Sequence, residues 1–333
     1  NILTASGSQA QGDIEDITIS GDAGEGIGGI AGWNKNTGSI SVYAGADETK
    51  AEPEVVAVGS NVTVSGREKV GGIVGINEGV LDTSQSDGSI RFLVCKAKLV
   101  HAADDYAGGI IGEARAGNKE AGVQSKKILR AVNKSADVTA DNGRAGGIVA
   151  VNAEGFALEE CKNIGNVNSD HGYAGGIAAE NFGEIINCSV GDESGAKEVL
   201  IRSQGADAIG AVCAVNYGQI RDSAPVRDIT AGTAEVILSG TADMIGGIAG
   251  KNAAGGVIGK TCQSGFEVTY MPKLDISAGQ LTVGGIAGLN EGGALGGGDE
   301  PGDAAGTDGK PESREARIEE ITVRGLSFED FKN

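Results

Sequence analysis

The stretch Gly146-Gly147-Ile148-Val149-Ala150-Val151-Asn152 decides the fold, because the same phrase recurs along the chain. It consists of two glycines, an aliphatic residue, two small or aliphatic residues, a variable residue and asparagine. Two copies are degraded: one lacks the asparagine and one has lost its second glycine. A period of 29 to 43 residues is typical of architectures that stack one repeat on the next. The eight copies begin at Gly28, Gly71, Gly108, Gly146, Gly175, Gly210, Gly246 and Gly284.

Stretches of alternating apolar and polar residues lie between the phrases, for example at residues 61–65 and 234–239. Such alternation is typical of half-buried β-strands. We therefore predict an all-β fold, a β-solenoid in the form of a parallel β-helix. About eight coils with three short strands per coil are expected, with a right-handed sense of winding.

Equivalent residues of successive repeats should form ladders in such a stack. The asparagines are expected at a corner, because asparagine tolerates the left-handed conformation and its amide can bond to the next amide in the stack. The glycines would supply positive φ angles or close backbone approach. The predicted amide ladder is Asn34, Asn77, Asn152, Asn181, Asn216, Asn252 and Asn290. The predicted interior aliphatic stack is Ile30, Ile73, Ile110, Ile148, Ile177, Val212, Ile248 and Ile286.

Three segments are assigned from this pattern. Residues 1–295 form the repeat solenoid, and residues 296–311 form a flexible loop rich in glycine and aspartate. Residues 312–333 contain one or more terminal strands, because the stretch at 318–323 echoes the strand at 14–19 that leads into the first glycine pair. The terminal strands are expected to start a ninth repeat, and covalently linked flanking domains are expected.

Composition limits the partners and the cofactors. A net charge of −19 argues against nucleic acid, whose binding relies on Lys and Arg, and keeps a repetitive β-protein soluble. No apolar run reaches 18 residues, so no membrane insertion is expected. No cofactor or metal motif is present; calcium at the surface is compatible with the acidity, but no motif supports it. We predict that most cysteines are buried as small hydrophobic residues; they are Cys95, Cys161, Cys188, Cys213 and Cys262.

The phrases GGIAG, GGIVG and GGIIG, followed by Asn and Gly, resemble the GLUG motif, with Ile in place of Leu throughout. The resemblance covers about residues 14–295. It implies a β-solenoid in a secreted or wall-attached bacterial protein. Repeats of this family also occur in stalk-like regions of adhesins and of immunoglobulin A–cleaving metallopeptidases. It brings no catalytic residues with it, because the peptidases of that family keep their chemistry in a separate zinc domain and no HExxH occurs here.

The sequence offers little for catalysis. His101 and His171 are interpreted as loop residues beside aspartates, and neither has a metal-ligand spacing. A polysaccharide lyase or glycosidase is the enzymatic alternative, because β-helices host many of these enzymes. Such a site needs a carboxylate pair or a basic residue along a groove. The carboxylates could come from Asp104, Asp105 and Glu113, and the cation from Arg115 or Arg144. The simpler interpretation is that these residues are solvated charges in loops.

Three aromatic residues flank the repeated asparagines: Trp33, Phe182 and Tyr217. If the corners align, these rings form an exposed patch that could contact a ligand. We therefore expect a non-enzymatic, extracellular segment of a bacterial surface protein, either secreted or attached to the cell wall. It would act as an adhesin-like surface or stalk whose partner is a host glycan or a host or bacterial surface protein. A passive spacer that holds an active domain off the cell wall is the remaining alternative.

Overall fold

The chain folds into stacked β-strands, and none of the described residues is helical. The computed structural model describes residues 2–4, 16–21, 26–43, 54–83, 91–115, 126–192, 197–203, 208–225, 236–240, 243–259, 273–276, 282–284, 286–295 and 322–324. Within these residues no helix is long and apolar enough to cross a membrane.

One repeat passes through five sheets in turn, which we number 1 to 5. In the second repeat the strands are Val62–Gly66, Val70–Gly71, Val74–Asn77, Val80–Asp82 and Phe92–Cys95. Valine and other β-branched residues favour these strands, because their side chains pack well on a pleated surface. The next repeat then returns to sheet 1, so each strand lies beside its counterpart in the neighbouring repeats.

The sheets are defined by equivalent strands of successive repeats. Sheet 1 contains Ile17–Gly21, Val62–Gly66, Leu99–Ala102, Asp137–Ala140, Asn166–Ser169, Val199–Ser203, Val236–Gly240, Lys273–Ile276 and Thr322–Arg324. Sheet 2 contains Ile27–Gly28, Val70–Gly71, Ala107–Gly108, Ala145–Gly146, Tyr173–Gly175, Ala208–Gly210, Met244–Gly246 and Thr282–Gly284. Sheet 3 contains Ala31–Asn34, Val74–Asn77, Ile111–Ala114, Val149–Asn152, Ala178–Asn181, Cys213–Asn216, Ala249–Asn252 and Ala287–Asn290.

The remaining two sheets follow sheet 3 along the chain, and sheet 5 is described for the first six repeats. Sheet 4 contains Ile2–Thr4, Ser39–Tyr43, Val80–Asp82, Lys126–Leu129, Phe156–Glu159, Glu184–Ile186, Gln219–Arg221, Val257–Ile258 and Ala294–Leu295. Sheet 5 contains Glu54–Val58, Phe92–Cys95, Ala131–Asn133, Lys162–Asn163, Ser189–Val190 and Ala224–Pro225.

All strand pairs are parallel, and the repeated phrases are in register. Gly108 pairs with Gly71 on one side and with Gly146 on the other, and Asn181 pairs with Asn152 and Asn216 in the same way. The all-β prediction is therefore confirmed, and the parallel stacks are those of a solenoid-like β-helical array.

Three strands per repeat were expected, whereas five are present in each of the first six repeats among the described residues. The glycine phrase contains two of them, because the chain bends between sheets 2 and 3 at the residues that follow the first glycine, as at Gly72 and Ile73. A second unexpected corner lies between sheets 4 and 5, where one residue takes a left-handed conformation. These corner residues are Arg130, Glu160, Asn187 and Asp222, with φ of 54°, 53°, 50° and 49°. Their differing side chains explain why no sequence pattern marks this corner.

The predicted aliphatic stack forms part of one continuous hydrophobic core. Its central members, from Ile73 to Ile248, are buried, and the outer two, Ile30 and Ile286, are partly buried against it. Each member donates its backbone N–H to the carbonyl of the next, as from Ile73 to Ile110 at 2.9 Å. Burial of each such side chain contributes about 1.5–3 kcal/mol, which makes the stack a main source of stability.

The predicted asparagine ladder is present at the end of sheet 3. Five of the seven Nδ2 groups donate to the Oδ1 of the next asparagine, for example from Asn152 to Asn181 at 2.8 Å and from Asn181 to Asn216 at 2.9 Å. The predicted left-handed conformation is wrong, because no asparagine of the described ladder has a positive φ. Asparagine is required here for its amide, which satisfies buried polar atoms along the stack.

The ladder is interrupted where the third repeat carries Ala114, which pairs with Asn77 and Asn152. Ala114 is buried and supplies no amide. As a result, the buried Oδ1 atom of Asn152 has no hydrogen-bond partner among the described residues. An unsatisfied buried acceptor costs about 1–3 kcal/mol, so this repeat is a local weak point.

Replacing Ala114 with asparagine should stabilise the protein. The new Nδ2 would donate to the Asn152 Oδ1, and its own Oδ1 would accept from Asn77. We expect the free energy of unfolding in urea to rise by about 1 kcal/mol. Ala114→Leu is the control, because it adds similar bulk without an amide and should not stabilise. A lower stability of Ala114→Asn than of the wild type would show that the ladder cannot be completed here.

Two predicted segments remain, the terminal strands at residues 312–333 and the loop at residues 296–311. Thr322–Arg324 pairs in parallel with Lys273–Ile276 in sheet 1, which places a strand of the 312–333 segment beside the preceding repeat. The predicted loop at residues 296–311 lies outside the described residues.

Candidate functional site

An aromatic–cation–aromatic column lies at the start of sheet 2. Tyr106, Arg144 and Tyr173 occupy equivalent positions in three successive repeats, each two residues before the first glycine of its phrase. The Arg144 guanidinium lies over both rings, 5.1 Å from the centre of the Tyr106 ring and 5.8 Å from that of Tyr173. All three side chains are half-buried, so the column is partly open to solvent.

Two carboxylates hold the central arginine. Arg144 donates to Asp105 through Nη1 and to Glu180 through Nε. Burial opposes the charge of Arg144, but the nearby charges of Glu180 and Asp105 outweigh it and raise the pKa of Arg144 above its ordinary value. Burial also raises the pKa of Tyr106, against the effect of Arg144, so its phenol stays neutral at physiological pH.

A second column lies at the end of sheet 3. Phe182 and Tyr217 each follow a ladder asparagine, and their rings stack with centres 4.7 Å apart and planes 1° apart. Both are exposed, at 41% and 37% of their surfaces. In the repeats on either side of this pair, the equivalent position is occupied by Ala153 and Ala253. Their backbone N–H groups donate to the carbonyls of Ala114 and Asn216 in the preceding repeats.

Residues between the two columns join them into one surface. Val215 packs with two alanines and with the partly buried Tyr173 and Met244, outside the main core. Lys251 Nζ bonds to Glu291 at 2.5 Å. This hydrogen bond raises the pKa of Lys251 against a small desolvation effect, and Tyr217 and Tyr173 lie close enough to act on the same charge. We call this surface the aromatic face; it comprises Tyr106, Arg144, Tyr173, Phe182, Tyr217, Met244 and Lys251, together with the buried Glu180 and Val215 that contact them.

The structure brings together two of the three aromatic residues singled out in the sequence. Trp33 lies in the first repeat, four repeats from Phe182 and thus about 19 Å away along the stack. Its 39% exposed ring contacts cations instead, with Lys35 Nζ at 5.0 Å and the Arg115 guanidinium at 5.7 Å from the ring centre. The expected patch is therefore formed by Phe182 and Tyr217 without Trp33.

The charged residues considered for catalysis are ion-paired. Asp104 bonds to Arg67 at 2.6 Å, Glu113 bonds to Arg115 at 2.8 Å, and Asp105 pairs with Arg144. These pairs divide the carboxylates among three separate cations.

The two histidines differ in environment. The prediction that His101 lies in a loop is wrong, because it lies in the strand Leu99–Ala102 with its Nε2 atom 2.9 Å from Asp141 Oδ1. His171 is exposed at a bend. No cluster of His, Cys, Asp or Glu within the described part of the chain could hold a metal ion.

The prediction of buried cysteines is confirmed where it can be compared. Cys95, Cys161, Cys188 and Cys213 are free thiols within the core, whereas Cys262 lies outside the described residues. Burial raises the pKa of the Cys95, Cys188 and Cys213 thiols above the ordinary value. These cysteines therefore serve as small apolar residues.

Sequence reasoning missed the column at Tyr106, Arg144 and Tyr173. The sequence does contain a signal for this column, because each of the three residues lies two positions before the first glycine of its phrase. Alignment of the repeats on that glycine places them at one position. Glu180 and Lys251 were missed because they occupy the variable position of the phrase, which the sequence does not constrain.

No family model matches the sequence, and the search of curated proteins found no match. Among solved structures, the chain is similar to the crystal structure of a "putative immunoglobulin A1 protease" from Bacteroides ovatus. The identity is 17%, the TM-score is 0.42, and the similarity covers 85% of this chain and 79% of that chain. More than four in five aligned residues therefore differ between the two chains.

Proposed function

We propose that the chain is a non-enzymatic, extracellular segment of a bacterial surface protein, built of GLUG-type repeats, and that it acts as an adhesin-like interaction surface. The eightfold phrase supports the repeat family, and the net charge of −19 suits a soluble exterior segment. The stacked array supplies a rigid support, and the aromatic face supplies the contact.

The exposed Phe182–Tyr217 pair is the observation that carries this proposal. Aromatic residues make up only 4% of the chain, yet three of its five tyrosines and one phenylalanine lie on this one face. Exposed, rigid aromatic side chains are enriched where proteins bind partners, because they bury a large area at a small cost in conformational entropy. Stacking of the two rings holds them in place before any partner arrives.

The test is binding of the purified chain to an array of host glycans and of matrix and bacterial surface proteins. We expect a saturable partner whose binding falls at least about tenfold in the double variant Phe182→Ala, Tyr217→Ala. Val56→Ala is the matched control, because Val56 is 46% exposed but lies in sheet 5. Trp33→Ala tests whether the first repeat contributes.

Two other outcomes would replace the proposal. Release of unsaturated or reducing-end products from a polysaccharide panel would favour a lyase or glycosidase. A blank array, with function lost when repeats are deleted from the full-length protein, would favour a passive spacer, for which the stacked parallel strands are also suited.

A further inference from the structure

We propose that the aromatic face binds an uncharged oligosaccharide that crosses several stacked repeats. This inference rests on the proposed function and names the class of partner. It depends on three properties of the face, namely its direction, its chemistry and its charge.

The direction follows from the register of the sheets. The first column runs through the third, fourth and fifth repeats at Tyr106, Arg144 and Tyr173, and the second runs through the fifth and sixth at Phe182 and Tyr217. Neighbouring repeats are about 4.8 Å apart, so the face extends roughly 19 Å from Tyr106 to the repeat that contains Lys251. The first column lies at the start of sheet 2 and the second at the end of sheet 3, so an elongated ligand that crosses the repeats obliquely would meet both columns in succession.

The chemistry of the face fits a sugar chain. The ring edges and faces of Phe182 and Tyr217 offer apolar area to the C–H groups of a pyranose. Alanines at the flanking ladder positions, Ala153 and Ala253, have side chains too short to cover the rings. Tyrosine hydroxyls and the Lys251 ammonium lie beside this apolar area and can bond to sugar hydroxyls. A mostly apolar surface with a few placed polar groups is the usual composition of a small-ligand site.

The charge of the face favours an uncharged ligand. Arg144 is already paired with Asp105 and Glu180, and Lys251 is paired with Glu291. A sulfated or carboxylated sugar would have to displace these carboxylates, and it would approach a chain with a net charge of −19. A neutral glycan meets neither obstacle.

The experiment is isothermal titration of the full chain with neutral oligosaccharides and with sulfated and sialylated ones, each at low and high salt. We expect saturable binding of a neutral oligosaccharide with a dissociation constant that changes less than about twofold between the two salt concentrations. The variant Phe182→Ala, Tyr217→Ala should weaken it at least about tenfold. Tyr217→Phe, which keeps the ring, should weaken it much less.

The alternative results separate this inference from the proposed function. Salt-sensitive binding of anionic sugars alone, or neutral binding unchanged in the double variant, would overturn the inference. Binding of a protein but of no glycan, lost in the double variant, would also overturn it while leaving the adhesin-like function in place. No partner of any class would overturn both. Unchanged thermal unfolding of the variants would show that lost binding does not reflect lost structure.

Discussion

Replacing Gly146 with alanine should unfold the middle of the array, with a loss of more than about 4 kcal/mol in the free energy of unfolding. Gly146 lies where sheets 2 and 3 meet at the bend of the fourth repeat. A Cβ atom there would overlap the carbonyl oxygen of Val149, lie 2.6 Å from its carbonyl carbon, and come within 3.1 Å of Ala179 N. All three atoms belong to the backbone of strands in sheet 3, so they cannot move aside cheaply. Urea unfolding followed by circular dichroism measures the loss.

Two other glycines provide matched controls for Gly146. A Cβ on Gly259 would meet nothing closer than 3.6 Å, and its φ is not positive, so Gly259→Ala should change stability by less than about 0.5 kcal/mol. Gly155 has open space around it but a φ of +86°, so Gly155→Ala should cost about 1 kcal/mol from backbone strain alone. Equal losses in all three variants would mean that close backbone approach is not what the phrase requires.

Replacing Asn181 with leucine should cost about 2–5 kcal/mol, although the two side chains have similar volumes. Asn181 is fully buried and accepts a hydrogen bond from Asn152 while donating to Asn216 and to the Gly183 carbonyl. Leucine would leave the Asn152 donor and the Asn216 acceptor without this partner, and each lost partner costs about 1–3 kcal/mol. The loss is measured as a lower urea midpoint.

The control for Asn181 is an exposed asparagine with a single side-chain bond. Asn142→Leu removes only a 3.2 Å bond to the Ala103 carbonyl, and we expect less than about 0.5 kcal/mol. If Asn181→Leu proved as mild as Asn142→Leu, apolar packing would be able to replace the amide ladder. The ladder would then set the register of the repeats without adding to stability.

The sequence predicted the parts of the fold that depend on one residue type at one position. Glycine recurs where a Cβ would strike backbone, isoleucine recurs where side chains face the core, and asparagine recurs where amides stack. The corner between sheets 4 and 5 could not be predicted, because Arg130, Glu160, Asn187 and Asp222 all adopt its conformation. Backbone geometry alone, not a side-chain pattern, defines that corner.

The candidate site was only partly predictable for a related reason. Phe182 and Tyr217 are neighbours because they share one position in successive repeats, while Trp33 occupies another position four repeats away. All three residues are next to a ladder asparagine in sequence, but Trp33 precedes its asparagine whereas Phe182 and Tyr217 follow theirs. Only residues at the same position relative to the asparagine become neighbours in the stack. The ion pair of Arg144 with Glu180 links sheet 2 of one repeat to sheet 3 of the next. It could not be predicted from the spacing of residues within a single repeat.

The amide ladder has a direction, because each Nδ2 that bonds to another ladder asparagine donates toward the next repeat along the chain. Hydrogen-bonded amides aligned in this way polarise one another, which strengthens each bond by roughly 10–30%. The ladder therefore behaves as two chains of dipoles separated at Ala114, one with two members and one with five. The long chain is Asn152, Asn181, Asn216, Asn252 and Asn290, and the short one is Asn34 and Asn77. Chemically identical asparagines thus contribute unequally, and those in the middle of the long chain bind their neighbours most strongly.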